Sequence, residues 1–201
     1  MSIEPMRVEP VTLEGRHIRL EPLSLARHHA GLSEVGLDEN IWRFNPRPPV
    51  RTPNDMRAYI EDALQQQSEG ASLPFATIDK TSGRAVGSTR FAYIDRTHRR
   101  VEIGYTWIAP PWQRTAVNTE AKYLMLRHAF ETLGCIRVEL KTDSLNERSR
   151  NAILRIGAKE EGIFRNHMIT HSGRYRHSVY FSIIDSEWPA AKARLESRLE
   201  S

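Results

Sequence analysis

The stretch that most constrains this chain is PPWQRTAVNTEAKYLMLRHAF, residues 110–130. A strand-like run, VEIGYTWI, precedes it at 101–108. Between Thr115 and Val117 the loop carries little side-chain bulk, and a helix is expected over about 118–133, with Asn118, Thr119 and Glu120 in its first turn. Ala121, Leu124, Met125, His128 and Ala129 recur at helical spacing, and Leu126, Phe130 and Leu133 widen that face. Gly134 stops the helix, and IRVELKT at 136–142 reads as the next strand. A strand, a tight loop and a bare helix N-terminus together offer a cradle of backbone N–H groups to an anion.

The flanking segments supply neighbours for this β-α-β crossover. Residues 11–20 read as a strand broken at Gly15, and Ser24 caps a helix over about 25–35. The prolines of 40–53 forbid a regular helix there, which leaves Trp42 and Phe44 as core plugs or pocket walls. Thr52 or Asn54 caps a second helix, about 55–69, with Met56, Tyr59, Ile60, Ala63 and Leu64 on one side. Strands at 73–79 and 85–95 form a hairpin, and a basic turn, 96–100, leads into 101–108. After a loop and short helix within 143–158, two strands (159–169 and 174–184) close the sheet around a turn at His171, and a terminal helix follows. The order is β-α-α-β-β-β-α-β-α-β-β-α. It predicts an α+β or mixed α/β fold whose sheet of about seven strands, mostly antiparallel, has helices on both faces and one splayed parallel pair.

With 201 residues the chain suits a single domain, 1–201, with its core over about 11–188 and a C-terminal helix over 185–200. No apolar run reaches membrane-span length, and the first ten residues lack the apolar core of a signal peptide, so a cytoplasmic protein is the expectation. Cys135 alone excludes an intrachain disulfide framework and reads as a core residue. A net charge of +4, dominated by arginine, has no basic block of the kind nucleic acid would want. It suits a small polyanion. His167, His171 and His177 have no zinc-like spacing and no cysteine beside them, so no metal is expected. No nucleophile elbow and no phosphate-binding G-x-x-x-x-G-K-S/T loop is present.

Three blocks in order carry a family resemblance: VEIGYTWIAPPWQ, then TAVNTEAKYLMLRHAFETLGCIRVEL, then DSLNERSRNAILRIGAKEEGIFRNH. In them the chain resembles the GNAT superfamily of acyl-CoA-dependent N-acyltransferases, and most of all its Rim-type branch of ribosomal-protein N-acetyltransferases. The family loop Gln/Arg-x-x-Gly-x-Gly/Ala aligns with Gln113, Arg114, Thr115, Ala116, Val117 and Asn118, so Ala116 and Asn118 replace the usual small residues. The resemblance implies that residues Gln113 to Thr119 hold the pyrophosphate of acetyl-CoA. It implies too that the pantetheine arm lies along Trp107 and Ile108, with a backbone N–H near Ile108 meeting the oxyanion, and contacts Asn146.

By the same resemblance acetyl-CoA is the co-substrate, the acceptor is a primary amine on a small molecule or a protein N-terminus, and a homodimer is expected. An amine is mostly protonated at neutral pH, so its attack on a thioester needs a base. Glu102 is expected in that role, against the plainer reading of a surface carboxylate paired with Arg99 or Arg100. Strand alternation puts Glu102, Gly104 and Thr106 on one face. Relatives in other branches carry a tyrosine four residues before the glycine at 157 as acid for the thiolate; here it is Ile153, and Ser149 is the substitute hydroxyl. Asn146 and Ser149 also fit as plain helix caps. Arg114, Arg150 or Lys122 would meet the ribose phosphate. Arg43 or Arg47 would suit an acid-bearing donor such as succinyl-CoA, and a non-catalytic CoA-binding module is the remaining alternative.

Overall fold

The computed structural model describes residues 6–200. In chain order the elements are β1 (Leu13–Glu14), β2 (Ile18–Pro22), α1 (Leu25–Val35), α2 (Glu39–Trp42), α3 (Pro53–Ser68), β3 (Ser72–Asp79), β4 (Ala85–Asp95) and β5 (Arg100–Ile108), then α4 (Ala116–Arg127), β6 (Arg137–Asp143), α5 (Glu147–Arg155), β7 (Lys159–Ile169), β8 (Tyr175–Ile184) and α6 (Trp188–Glu200). The strands form one eight-stranded sheet in the order β1-β2-β3-β4-β5-β6-β8-β7. Among the described residues β5 and β6 alone pair in parallel, joined by the crossover through α4; the other pairs are antiparallel.

Two apolar layers cover the sheet. On one face α1 and α3 bury Leu32, Met56 and Ile60 against Trp42 and Trp107. On the other, α4 and α6 bury Leu124, Met125, Trp188 and Leu195 against Phe91, Val138 and Phe181. Each such side chain contributes about 1.5–3 kcal/mol by leaving water. Cys135 is buried in the second layer, and burial lifts its thiol to about 11, which fits a packing role. No helix among the described residues is long and apolar enough to cross a membrane. Part of the N-terminal stretch without a signal-peptide core, Met1 to Pro5, lies outside the described residues.

Three expectations are corrected here. The broken strand at 11–20 is two strands around a turn at Gly15, and this gives eight strands rather than about seven. The proline-rich stretch does begin with a helix, one turn of α2. Asp38 caps it at Asn40 N–H, and it ends before the first proline of the loop. Trp42 is the plug, 2% exposed, with its indole N–H donating to Gly36 O at 2.8 Å. Finally, the central helix starts at Ala116, two residues early, because Thr115 takes the N-cap and its hydroxyl accepts from Val117 N–H at 3.3 Å.

Glu120 lies on the inward face of α4, 3% exposed. Its carboxylate accepts from the backbone N–H groups of Arg16 (2.7 Å), His17 (2.7 Å) and Ile18 (2.8 Å). It thereby pins the β1–β2 turn to α4. A Cβ on Gly15 would lie 2.5 Å from Glu120 Cδ, so this close approach requires glycine.

Candidate active site

The site is built by a mismatch in β5. Against β4, Arg90 faces Gly104 and Ser88 faces Trp107, so Tyr105 and Thr106 both lie opposite Thr89. This is a bulge, and Tyr105 takes the left-handed conformation, φ 52°, that such a kink needs. The bulge shifts the alternation by one. Tyr105 and Trp107 therefore join Glu102 on the α3 face, while Thr106 turns to α4, where its hydroxyl accepts from Lys122 Nζ at 2.7 Å. The expected common face for Glu102 and Thr106 is corrected by that single extra residue.

On its other edge β5 parts from β6. Their ladder covers Arg100↔Arg137, Val101↔Val138 and Glu102↔Glu139 and stops there, so 103–108 and 140–143 diverge around an opening. Ala109 N–H donates to Val86 O at 2.9 Å on the β4 side. Peptide groups alternate along a strand, so Ile108 N–H faces the opening. At the mouth of the opening stands the N-terminus of α4. Ala116 and Asn118 head that helix with amides that have no carbonyl one turn back to bond. The amide of Thr119 does have one, at Thr115, which leaves its hydroxyl for any ligand. Ala116 keeps helical backbone, and the loop instead makes its left-handed turn at Arg114, φ 64°.

Some residues expected at the cofactor are otherwise engaged. The Trp107 side chain is in the α3 core, tilted 5.5 Å from Trp42, so only its backbone borders the opening. Gln113 spends its side-chain amide on Ile108 O at 2.7 Å, fixing the loop to the strand end. Lys122 is 7% exposed and cannot reach a surface phosphate. Arg150 is paired with Glu160 at 3.3 Å. Arg114 remains, exposed at the loop and without an ion pair to any described residue. Asn146 is the N-cap of α5, its Oδ1 accepting from Ser149 N–H at 3.1 Å. That satisfies the capping reading for Asn146 and leaves its side-chain NH2 and the Ser149 hydroxyl available. Ile153 is buried and apolar.

Glu102 is the charged centre of the opposite face. It is 3% exposed and sits 3.0 Å from Lys141 Nζ, not against Arg99 or Arg100. Burial raises its pKa and Lys141 opposes that rise; Lys141 is itself held above its ordinary value, mainly by the Glu102 carboxylate working against burial. Tyr93 lies 4.1 Å from Lys141 Nζ and Tyr180 lies 5.8 Å from it, an aromatic surround for the pair. A Cβ on Gly104 would stand 2.6 Å from Glu102 Oε1, so this glycine leaves room for the carboxylate. Gly104→Ala should displace the carboxylate and lower turnover at least about tenfold, the scale of a misplaced catalytic group, with a normal melting transition. Steady-state rates beside a thermal melt check this.

Walls rise around Glu102 from the loop after α2 and from the β7–β8 hairpin, which meet where His171 N–H donates to Pro46 O at 2.8 Å. Arg90, wholly buried, lies 4.1 Å over the Tyr105 ring. Arg47 is paired to Asp62 at 2.6 Å, while Arg43 is exposed with its guanidinium 5.3 Å from the Phe44 ring. His167 bonds Ser178 Oγ at 3.0 Å and His177 accepts from Asn166 N–H at 2.8 Å. No group of metal-ligating side chains occurs among the described residues.

Comparison with known proteins agrees with this geometry. Residues 17–159 match the family model described as an acetyltransferase (GNAT) domain. YdaF of Bacillus subtilis, provisionally named a ribosomal N-acetyltransferase, is 34% identical over 151 residues, 75% of this chain and 80% of that protein. The [ribosomal protein uS5]-alanine N-acetyltransferase of Escherichia coli is 22% identical over 75% of this chain and 79% of its own. Among solved structures, a GCN5-related N-acetyltransferase from Brucella melitensis superposes with a TM-score of 0.90 at 35% identity, covering 97% of this chain and 88% of that one.

Proposed function

The chain belongs to the GNAT family of acetyltransferases, with Rim-type enzymes among its relatives, and from that premise we propose that it moves an acetyl group from acetyl-CoA directly to a primary amine. The observation that carries this reading is the end of the β5–β6 ladder at Glu102 and Glu139, beside the open N-terminus of α4. The amides of Ala116 and Asn118, with the Thr119 hydroxyl and Arg114, hold the phosphates. The arm runs between the diverging strands, bordered by Ile108 and the side-chain amide of Asn146, with Ser149 near its thiol end. Ile108 N–H receives the charge that develops on the carbonyl oxygen.

The amine enters from the opposite face, between the 43–53 loop and the β7–β8 hairpin. Glu102 takes its proton, helped by a pKa that burial has moved toward neutrality. The uS5-alanine enzyme among the relatives supports a protein N-terminus as one acceptor class, with small amines as the other. The pairing of Arg47 with Asp62 supports acetyl over an acid-bearing acyl group.

Release of free CoA from acetyl-CoA, followed by a thiol reagent over a panel of N-terminal peptides and small amines, tests the reading. The same panel with succinyl-CoA compares donors. Turnover that requires an amine and prefers acetyl-CoA is the expected result. Tight CoA binding with no turnover on any amine contradicts it and marks a non-catalytic CoA-binding module.

A further inference from the structure

Lys122, on the second turn of α4, has no part in the reading above. It is 7% exposed, yet makes no ion pair with any described residue. Its ammonium carries three donors and makes one hydrogen bond, 2.7 Å from Nζ to Thr106 Oγ1. Thr106 Oγ1 is also 2.7 Å from Thr89 Oγ1, and the Thr89 hydroxyl reaches Met125 Sδ at 3.5 Å. When Thr89 donates to it, the Thr106 hydroxyl is left with one long bond, 3.5 Å to Gly104 O, which a better acceptor at the rim can replace. It lies past the last β5–β6 pair, on the rim of the opening, and is exposed there, while Lys122 is closed off behind it. The bulge at Tyr105 is what turns Thr106 to meet the lysine.

An ammonium withdrawn from water with one neutral hydrogen bond and no counter-charge gives up its proton readily. Burial pulls Lys122 down to about 7, and the charged group that opposes this is Glu102 across the sheet; Thr106, which Nζ bonds, is neutral, as are Thr89 and Met125 in the chain of contacts behind it. A thiolate leaving an acyl donor needs a proton, and a thiol with an ordinary pKa near ~8.5 holds it more tightly than such a lysine. On α5 Ile153 is buried and apolar and has no proton to give. Ser149 has a hydroxyl but no hydrogen-bonded proton source behind it among the described residues.

We propose that Lys122 and Thr106 form a relay that protonates the thiolate of the departing CoA; this rests on the transferase reading above. As the amine nitrogen bonds the carbonyl carbon and the C–S bond breaks, the sulfur lone pair takes the Thr106 hydroxyl proton. The Thr106 oxygen takes a proton from Lys122 Nζ, which is left as the neutral amine its site favours. The proton lost by the attacking amine goes to Glu102. Solvent exchange after product release returns one proton from Glu102 to Lys122, which closes the cycle.

The test measures kcat against pH from neutral to alkaline for wild type, Lys122→Met, Thr106→Val, Thr106→Ser and Ser149→Ala, and titrates the ultraviolet thiolate band of bound CoA. Lys122→Met and Thr106→Val should each lower kcat about 100-fold with KM for acetyl-CoA within about 3-fold. The alkaline fall of wild-type kcat should vanish in Lys122→Met, and Thr106→Ser should restore most activity. Bound CoA should ionise at lower pH in wild type than in Lys122→Met. Removal of a buried unpaired cation should also raise the melting temperature of Lys122→Met, so that loss of activity is not loss of fold. A Lys122→Met enzyme with wild-type kcat, pH profile and thiolate titration overturns the relay. So does a loss confined to Ser149→Ala. Wild type inert toward every amine overturns the transferase reading instead.

Discussion

Glu102→Gln should lower kcat for acetyl transfer by about 10²–10³-fold, the ordinary contribution of a general base. The substitution keeps the shape and removes only the ability to accept a proton. At 3% exposure, with Lys141 Nζ 3.0 Å away, no bulk water stands ready to replace the carboxylate. The pH profile separates this role from a structural one. A base works when deprotonated, so wild-type kcat/KM should rise as pH climbs through a pKa that burial has raised above the usual glutamate value. In Glu102→Gln that rise should be absent and the remaining rate should follow ionisation of the amine substrate alone. A variant with wild-type kcat and an unchanged acid limb excludes Glu102 as the base.

Glu120→Ala should have the largest effect on stability. Three backbone donors, Arg16, His17 and Ile18, lose their acceptor, and the Ile18 amide loses it in a buried setting. A buried donor left without a partner costs about 1–3 kcal/mol; the two part-buried amides recover some of this from water, so the total is about 2–4 kcal/mol. For a chain of this size that lowers the melting temperature by about 5–15 °C. Glu120→Gln, which keeps one acceptor oxygen, should fall between. A melting temperature for Glu120→Ala within one or two degrees of wild type, by calorimetry, contradicts this account of the β1–β2 turn.

These two glutamates mark what the sequence could and could not disclose. Hairpins, the β-α-β crossover and the helix caps were legible because each rests on local periodicity or on a residue such as Thr52, whose hydroxyl accepts from Asp55 N–H at 3.1 Å. Glu102 was legible as a base candidate through its place before the loop, but its partner Lys141 comes from a strand brought alongside only by the fold. Glu120 read as a first-turn helix residue beside the anion cradle. The Thr115 cap sets the helix start two residues earlier, and packing of α4 on the sheet brings Glu120 against a turn about a hundred positions away in the chain. The bulge at Tyr105 left no clear mark either. Nothing in VEIGYTWI breaks the alternation, and the extra residue is defined only by register against β4. With it went the positions of Thr106, Trp107 and Lys122.

The central claim is that the amides opening α4 and the unpaired edges of β5 and β6 receive one ligand between them. A crystal structure with CoA and an acceptor peptide tests it most directly. The account predicts the pyrophosphate against the amides of Ala116 and Asn118, the arm between 103–108 and 140–143, and the thiol end beside Ile108 N–H and the Thr106 hydroxyl. CoA bound elsewhere, or the two strands zipped together with the ligand on the surface, would contradict it.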